Sequence, residues 1–140
     1  MIMSIRTLII EATEQTPKVS FYAEHGNFSI VGKSLPESGE SFYKPILEWL
    51  DKGLEKSANI LNFEFSLEQL NLSSSKMLLF LLYKLKEQKE AGKQVSIWWY
   101  HGAENSDILE VGEDYEFMVD IPFRFKTGYL NLTQKELFVA

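Results

Sequence analysis

Between Leu61 and Leu67 apolar and polar residues alternate, with Leu61, Phe63, Phe65 and Leu67 interleaved by Asn62, Glu64 and Ser66. A period of two predicts a strand with one buried face. Upstream, Phe42, Tyr43, Ile46, Leu47, Trp49, Leu50 and Leu54 recur at spacings of three and four. That spacing predicts an amphipathic helix from Glu40, with Pro45 in or near its first turn and Gly53 weakening its last. Downstream, Leu78, Leu81, Leu82 and Leu85 form a second helical stripe, and KEQKEAGK follows as a charged end with Gly92 as the stop. Val95 to Tyr100 is apolar or aromatic almost throughout, which predicts a central strand covered on both faces.

The remaining elements follow from punctuation. Arg6 to Ala12 reads as a first strand, stopped by TEQTP, where Pro17 holds Thr16 extended. Val19 to Tyr22 and Phe28 to Val31 flank EHGN, whose Gly26 and Asn27 tolerate positive φ, so a β-hairpin is expected there. GKSLPESG, Gly32 to Gly39, is a loop by composition, and its Gly-Lys-Ser lacks the glycine spacing of a phosphate-binding loop. Asn105 to Met118 predicts an acidic helix, Phe123 to Phe125 a short strand after Pro122, and the tail from Gly128 a further helical turn or two. Strand–helix–strand units of this length need right-handed crossovers, so the later strands should be parallel. The expected fold is a single α/β domain over residues 1–140, a mixed sheet with an N-terminal β-hairpin and helices packed on it.

Composition narrows the partners. A chain of 140 residues that is 45% hydrophobic holds about one core. With 14 basic and 20 acidic residues its net charge is -6, and no Lys/Arg block tracks a phosphate backbone, which argues against nucleic acid. The absence of cysteine removes disulfides and thiolate metal sites and fits a reducing compartment. The N-terminal MIMSIRTLII carries an arginine inside a short apolar stretch and reads as a strand, not a leader. The longest apolar run, Met77 to Tyr83, is far below the roughly 20 residues that span a bilayer. A cytoplasmic protein without a membrane partner is expected, and no pattern asks for a cofactor or metal.

Candidate chemistry concentrates in QLNLSSSKMLLF, Gln69 to Phe80. Asn71, Ser73 or Ser74 can cap the helix that follows, a contribution of about 1 kcal/mol. One serine suffices for a cap, yet three stand in a row, followed by Lys76 in a first turn where the helix dipole disfavours a cation. A strand-to-helix corner of this kind can take a phosphoryl group, whose charge would meet free N–H groups and Lys76 and repel a docking partner. A hydrolase using Ser73 with His25 or His101 is the enzymatic alternative, but the flanking glycines of a nucleophile elbow are missing. A purely structural subunit is the third reading. Trp98, Trp99 and Tyr100 read as core, and the acidic run Glu110, Glu113, Asp114 and Glu116 as a solvated face that can also meet a basic partner.

Six segments in order, ATEQTPKV, GKSLPES, FYKPILEWL, LNLSSSK, VSIWWY and LEVGEDYE, make the chain resemble the SiaC-like regulatory phosphoprotein family, whose fold is similar to the STAS domains of anti-sigma-factor antagonists. The resemblance implies a non-enzymatic member of a partner-switching circuit. Such a protein is phosphorylated by a dedicated Ser/Thr kinase and reset by a PP2C-type phosphatase. Unphosphorylated, it binds and activates a diguanylate cyclase, raising cyclic di-GMP and affecting biofilm formation. The family's Asn-Thr-Ser-Ser motif takes phosphate on its threonine. Here the motif reads Asn71-Leu72-Ser73-Ser74, so Leu72 occupies the acceptor position. Either an adjacent hydroxyl, Ser73 before Ser74, takes its place or the chain is locked in the binding-competent state. The partner-binding surface expected from this reading is Asn71, Leu72, Ser73, Ser74, Ser75 and Lys76.

Overall fold

The computed structural model describes residues 1–130. The helical turns expected in the tail fall largely on residues 131–140 and lie outside the described residues. In chain order the elements are β1 (Ile2–Met3), β2 (Thr7–Ile10), β3 (Lys18–Tyr22), β4 (Asn27–Ser34), α1 (Gly39–Gly53), β5 (Ile60–Leu70), α2 (Leu72–Glu90), β6 (Gln94–His101), α3 (Ser106–Val119) and β7 (Phe123–Thr127). The seven strands form one sheet in that same order. Strands β1 to β4 pair antiparallel, while β4 to β7 pair parallel. Successive right-handed crossovers in a sheet of sequential order put α1, α2 and α3 on one face, where α1 packs on α2 and α2 on α3.

The expected first strand is split. Ser4 turns the chain between β1 and β2, its Oγ accepting from Thr7 N at 3.1 Å while its own N donates to Thr7 O at 2.8 Å. The hairpin forms around Gly26 at φ 71, with Asn27 already in β4. The start of the expected loop, Gly32 to Ser34, is in fact strand, because parallel pairing to β5 carries β4 past a bulge at Gly32/Lys33 to Ser34 opposite Leu70. Helix α1 starts at Gly39 because Ser38 caps it, its side chain accepting from Ser41 N at 3.1 Å. Pro45 therefore lies in the second turn, where its ring removes an N–H from the helical ladder.

β5 differs from its predicted one-sided burial. Glu64 is 4% exposed and Ser66 fully buried, although both face away from the helices. The strand is central, so its polar residues are enclosed by neighbouring strands: Glu64 stands between Ser29 and Trp98 in register. Tyr100 OH donates to Glu64 Oε2 at 3.1 Å, and Ser66 Oγ accepts from Leu130 N at 3.1 Å. On β6 the expected cover on both faces is complete only toward the helices, where Ile97 and Trp99 are buried; on the other face Tyr100 is buried and Trp98 half-buried, with the Arg124 guanidinium 5.2 Å from its ring centre.

The helix-facing side is the core. Phe28 stacks on Phe63 at 4.3 Å between ring centres, and Phe21 meets both edge-on at 5.4 and 5.8 Å. Trp99 continues the aromatic row, 5.6 Å from Phe65 and 5.6 Å from Tyr115 of α3, and donates from Nε1 to Ile108 O at 2.8 Å. The α2 stripe Leu78, Leu81, Leu82 and Leu85 is fully buried, as its spacing predicts. Helix α3 can approach this closely because Gly112 lies on the Trp99 indole, where an added Cβ would stand 2.5 Å from Cδ1 and Nε1. Gly112→Ala should therefore overpack the core and destabilise the protein by about 1–3 kcal/mol, read as a lower urea midpoint at unchanged slope.

Candidate functional site

The bend from β5 into α2 is held by Asn71. Its Oδ1 accepts from Ser74 N at 2.9 Å, which caps the helix. Its Nδ2 donates to Pro36 O at 2.9 Å and its backbone N to Ser34 O at 3.0 Å, so one side chain and one amide tie α2 to the segment leading into α1. The loop-forming GKSLPESG is thus part of the corner.

The three serines have three different fates. Ser73 is exposed, yet its Oγ donates to Asn71 Oδ1 at 3.2 Å and accepts from Gly39 N at 3.1 Å. The N-termini of α1 and α2 abut at this point, because a Cβ on Gly39 would stand 2.6 Å from the Ser73 carbonyl carbon and oxygen. Ser74 is fully buried, which corrects its place among the expected acceptor and partner-binding residues. It lies on the α2 face that packs inward, and Ser34 Oγ donates to its Oγ at 2.9 Å. Ser34 has one proton, so the 2.6 Å contact between Ser34 Oγ and Tyr43 OH is donated by Tyr43. Burial pushes the Tyr43 hydroxyl up to about 12, against the opposing effect of its hydrogen bonds to Ser34 and Ser74. Ser75 is half-buried and donates from Oγ to Leu72 O at 2.8 Å, while its carbonyl accepts from Tyr115 OH of α3 at 2.6 Å. Burial raises Tyr115 as well.

Leu72 is the outlier of the stretch. It is the first residue of α2, and its side chain is 87% exposed. Lys76 is exposed one turn on and forms no ion pair among the described residues. Beside them a groove of about 740 Å³ runs between α2 and α3, with Leu72, Lys76, Leu79, Tyr115 and Met118 on its walls. A second cleft of about 490 Å³ lies between α1 and α2, reaching from Glu37 and Glu40 to Phe80. Ser73 and Lys76 line both.

The corner is marked by local sequence pattern, whereas the groove arises between two separate helices. Met118 is 50% exposed and Phe117 89%, a pair of large apolar residues on the outside of an acidic helix. In sequence, Phe117 is an apolar position off the Ile108, Val111, Tyr115 stripe, whereas Met118 continues that stripe at its exposed end. The histidines do not join Ser73 in any hydrogen bond among the described residues. His25 sits in the turn ahead of β4, at the opposite end of the parallel strands from the bend after β5, and His101 Nδ1 lies 3.2 Å from Gly102 O. Trp98 and Tyr100 face the helix-free side of the sheet, away from the groove. Among the described residues no helix is long and apolar enough to cross a membrane.

A sheet with a parallel half, an antiparallel hairpin edge, helices on one face and a hydroxyl-rich corner at the start of α2 defines a mixed α/β protein. Its affiliation is narrower: the profile of the SiaC family regulatory phosphoproteins matches residues 10–128, and the chain belongs to that family. An uncharacterized protein of Pseudomonas aeruginosa (strain UCBPP-PA14) is 28% identical over 116 residues, covering 83% of this chain and 92% of that protein. The crystal structure of apo-SiaC from Pseudomonas aeruginosa is similar with a TM-score of 0.80 at 27% identity, covering 89% of this chain and all of that one. A chain in the crystal structure of the diguanylate cyclase SiaD in complex with its activator SiaC, from the same organism, gives a TM-score of 0.79 at 26% identity, covering 86% of this chain and 99% of that one.

The buried hydroxyl chain has a pH signature. Tyr43 is held neutral in the fold, so its folded pKa of about 12 exceeds the ordinary 10.0. The stability this confers is complete below the unfolded value and falls as pH rises from about 10 toward 12. Tyr43→Phe should cost about 1–3 kcal/mol at neutral pH by leaving Ser34 without its donor, and should flatten the alkaline loss. Urea midpoints between pH 8 and pH 11.5 (~10 being the ordinary tyrosine value) would measure both effects.

Proposed function

We propose that this chain is a non-enzymatic cytoplasmic regulator that docks on a diguanylate cyclase through the β5–α2 corner and raises its activity. The observation that carries this reading is Leu72: a leucine 87% exposed at the first position of α2, on the wall of an apolar groove. Burying such a side chain in a partner is worth about 1.5–3 kcal/mol. The likeness to SiaC, which is described as the activator of SiaD in their complex, supports the choice of partner.

Control by a Ser/Thr kinase and a PP2C-type phosphatase belongs to the same reading. With leucine at the family's acceptor position and Ser74 buried, Ser73 is the hydroxyl on the corner's surface that a kinase can reach. To react, its Oγ must leave Gly39 N and Asn71. The phosphate would carry a charge of about -2 to a place beside two helix N-termini and Lys76, which retain it, and beside Leu72 and the groove, whose apolar docking it opposes.

Two measurements test this. Titrating the chain into a purified diguanylate cyclase should raise cyclic di-GMP synthesis, and Leu72→Asp should weaken the effect by about 10- to 100-fold in concentration; no stimulation by the wild type sinks the reading. Incubation with the kinase and ATP should add one phosphate by intact mass, lost in Ser73→Ala. No added mass on the wild type, under conditions that modify a Leu72→Thr variant, would instead show a chain fixed in its docking state.

A further inference from the structure

We propose that the ten residues after Leu130 form a strap across the helix-free face of the sheet, with Leu137, Phe138 and Val139 laid over the strip around Ser20. The proposal is independent of the docking reading above.

Register places Ile9, Ser20, Ser29, Glu64 and Trp98 in one row across that face. The three helices pack on the other side, yet Ser20 is 3% exposed, Ser29 6% and Glu64 4%. Neighbouring strands wall a side chain sideways and leave its outward direction open. Glu64 has tall neighbours in Trp98 and in Tyr100, its hydrogen-bond donor. Ser20 has none of that height in its row, where its cross-strand partners are Ile9 and Ser29. A hydroxyl so placed on an open sheet is exposed, whereas Ser20 Oγ is buried, with no hydrogen-bond partner among the described residues. A further layer is required above β3 and β4.

The chain itself leads there. After β7 it turns at Gly128, φ 108, and by Leu130 it has crossed β6 to reach β5, where Leu130 N donates to Ser66 Oγ at 3.1 Å. Ser66 lies on the helix-free face, in register between Val31 and Tyr100. Continuing in the same direction carries the chain over β4 and then β3, about 5 and about 10 Å further on at the spacing of paired strands. Ten residues reach about 15 Å as helix and about 33 Å extended, so residues 131–140 span that distance in either form. Their sequence, NLTQKELFVA, carries the apolar run Leu137 to Val139 near its end, and Ser20 is ringed by the half-buried Ile9, Tyr22 and Val31. Laying that run on this strip removes both from water and encloses the serines. The match to the SiaC family ends at residue 128, so the strap lies outside what the chain shares with that profile. With the outer face closed, the helix side is the surface left open to partners.

The chain has no cysteine, so a single introduced thiol reports its own burial. In the full-length Ser20→Cys variant, reaction with a water-soluble aromatic disulfide should be slow, and adding Leu137→Asp with Phe138→Asp should speed it by at least about tenfold. Ser74→Cys, packed under the helices, should keep its rate when the same pair is added. A photo-crosslinker at Phe138, in an otherwise unaltered chain, should join peptides of β2 to β4 at monomer mass. A Ser20→Cys thiol that reacts as fast as a free thiol with the tail intact, or as slowly with the aspartate pair as without it, overturns the proposal. Equal acceleration at Ser74→Cys overturns it too, since the tail would then support the whole fold and not one face. Crosslinks to the helices, or products at dimer mass alone, would place the tail elsewhere or on a second copy and end the intrachain strap.

Discussion

Asn71 makes the corner possible, because a strand that ends and a helix that begins at adjacent residues leave unpaired backbone groups pointing at each other's neighbours. Its Oδ1 satisfies one of them by accepting from Ser74 N and its Nδ2 donates to Pro36 O, while its backbone N–H reaches Ser34 O. The consequence is mechanical. The start of α2 and the approach to α1 cannot move independently, so whatever touches one N-terminus is felt at the other through Ser73 and Gly39. Beneath this tie, the chain from Tyr43 through Ser34 to Ser74 adds a buried polar path whose members are all partnered. Such a path holds geometry firmly, since leaving any member unpaired costs more than the bond was worth.

Opposite the corner the same sheet carries a different chemistry. Arg124 and Lys126 lie over Trp98 and Tyr100, and Glu64 is held by Tyr100 in the middle of the helix-free face. Among the described residues, Ser20 Oγ there is buried without a hydrogen-bond partner. The two faces divide the work: aromatic and aliphatic burial on the helix side sets the position of α2 and α3, and the groove between them is a by-product of that packing.

Much of this architecture was legible because its signals are local. The period of two in β5 and the leucine spacing of α2 mark elements whose burial is decided within a turn or two of chain. The polar positions of β5 were misjudged because burial of Glu64 and Ser66 depends on β4 and β6, far away in sequence. Pro45, expected in or near the first turn of a helix from Glu40, falls in the second because Ser38 starts α1 one residue earlier. Ser74 was readable and was missed: running the stripe Leu85, Leu82, Leu81, Leu78 back by four residues lands on it, so helical phase alone separates the buried serine from Ser73. The groove was not readable, since it exists only where α3 crosses α2.

The run of three serines is then accounted for without residue. Ser73 fastens α1, Ser74 completes the buried hydroxyl path, and Ser75 returns its proton to the helix while its carbonyl receives Tyr115. Each hydroxyl is used by the fold, and this changes what Leu72 means. In a corner whose three serine hydroxyls are each engaged by the fold, the side chain left 87% exposed is the apolar Leu72, which sits on a groove of the same character. Water solvates that arrangement poorly. A phosphate on Ser73 would first have to undo the fastening of α1, so charge and conformation at this corner are linked: the modification that repels a partner also loosens the tie between the two helix starts.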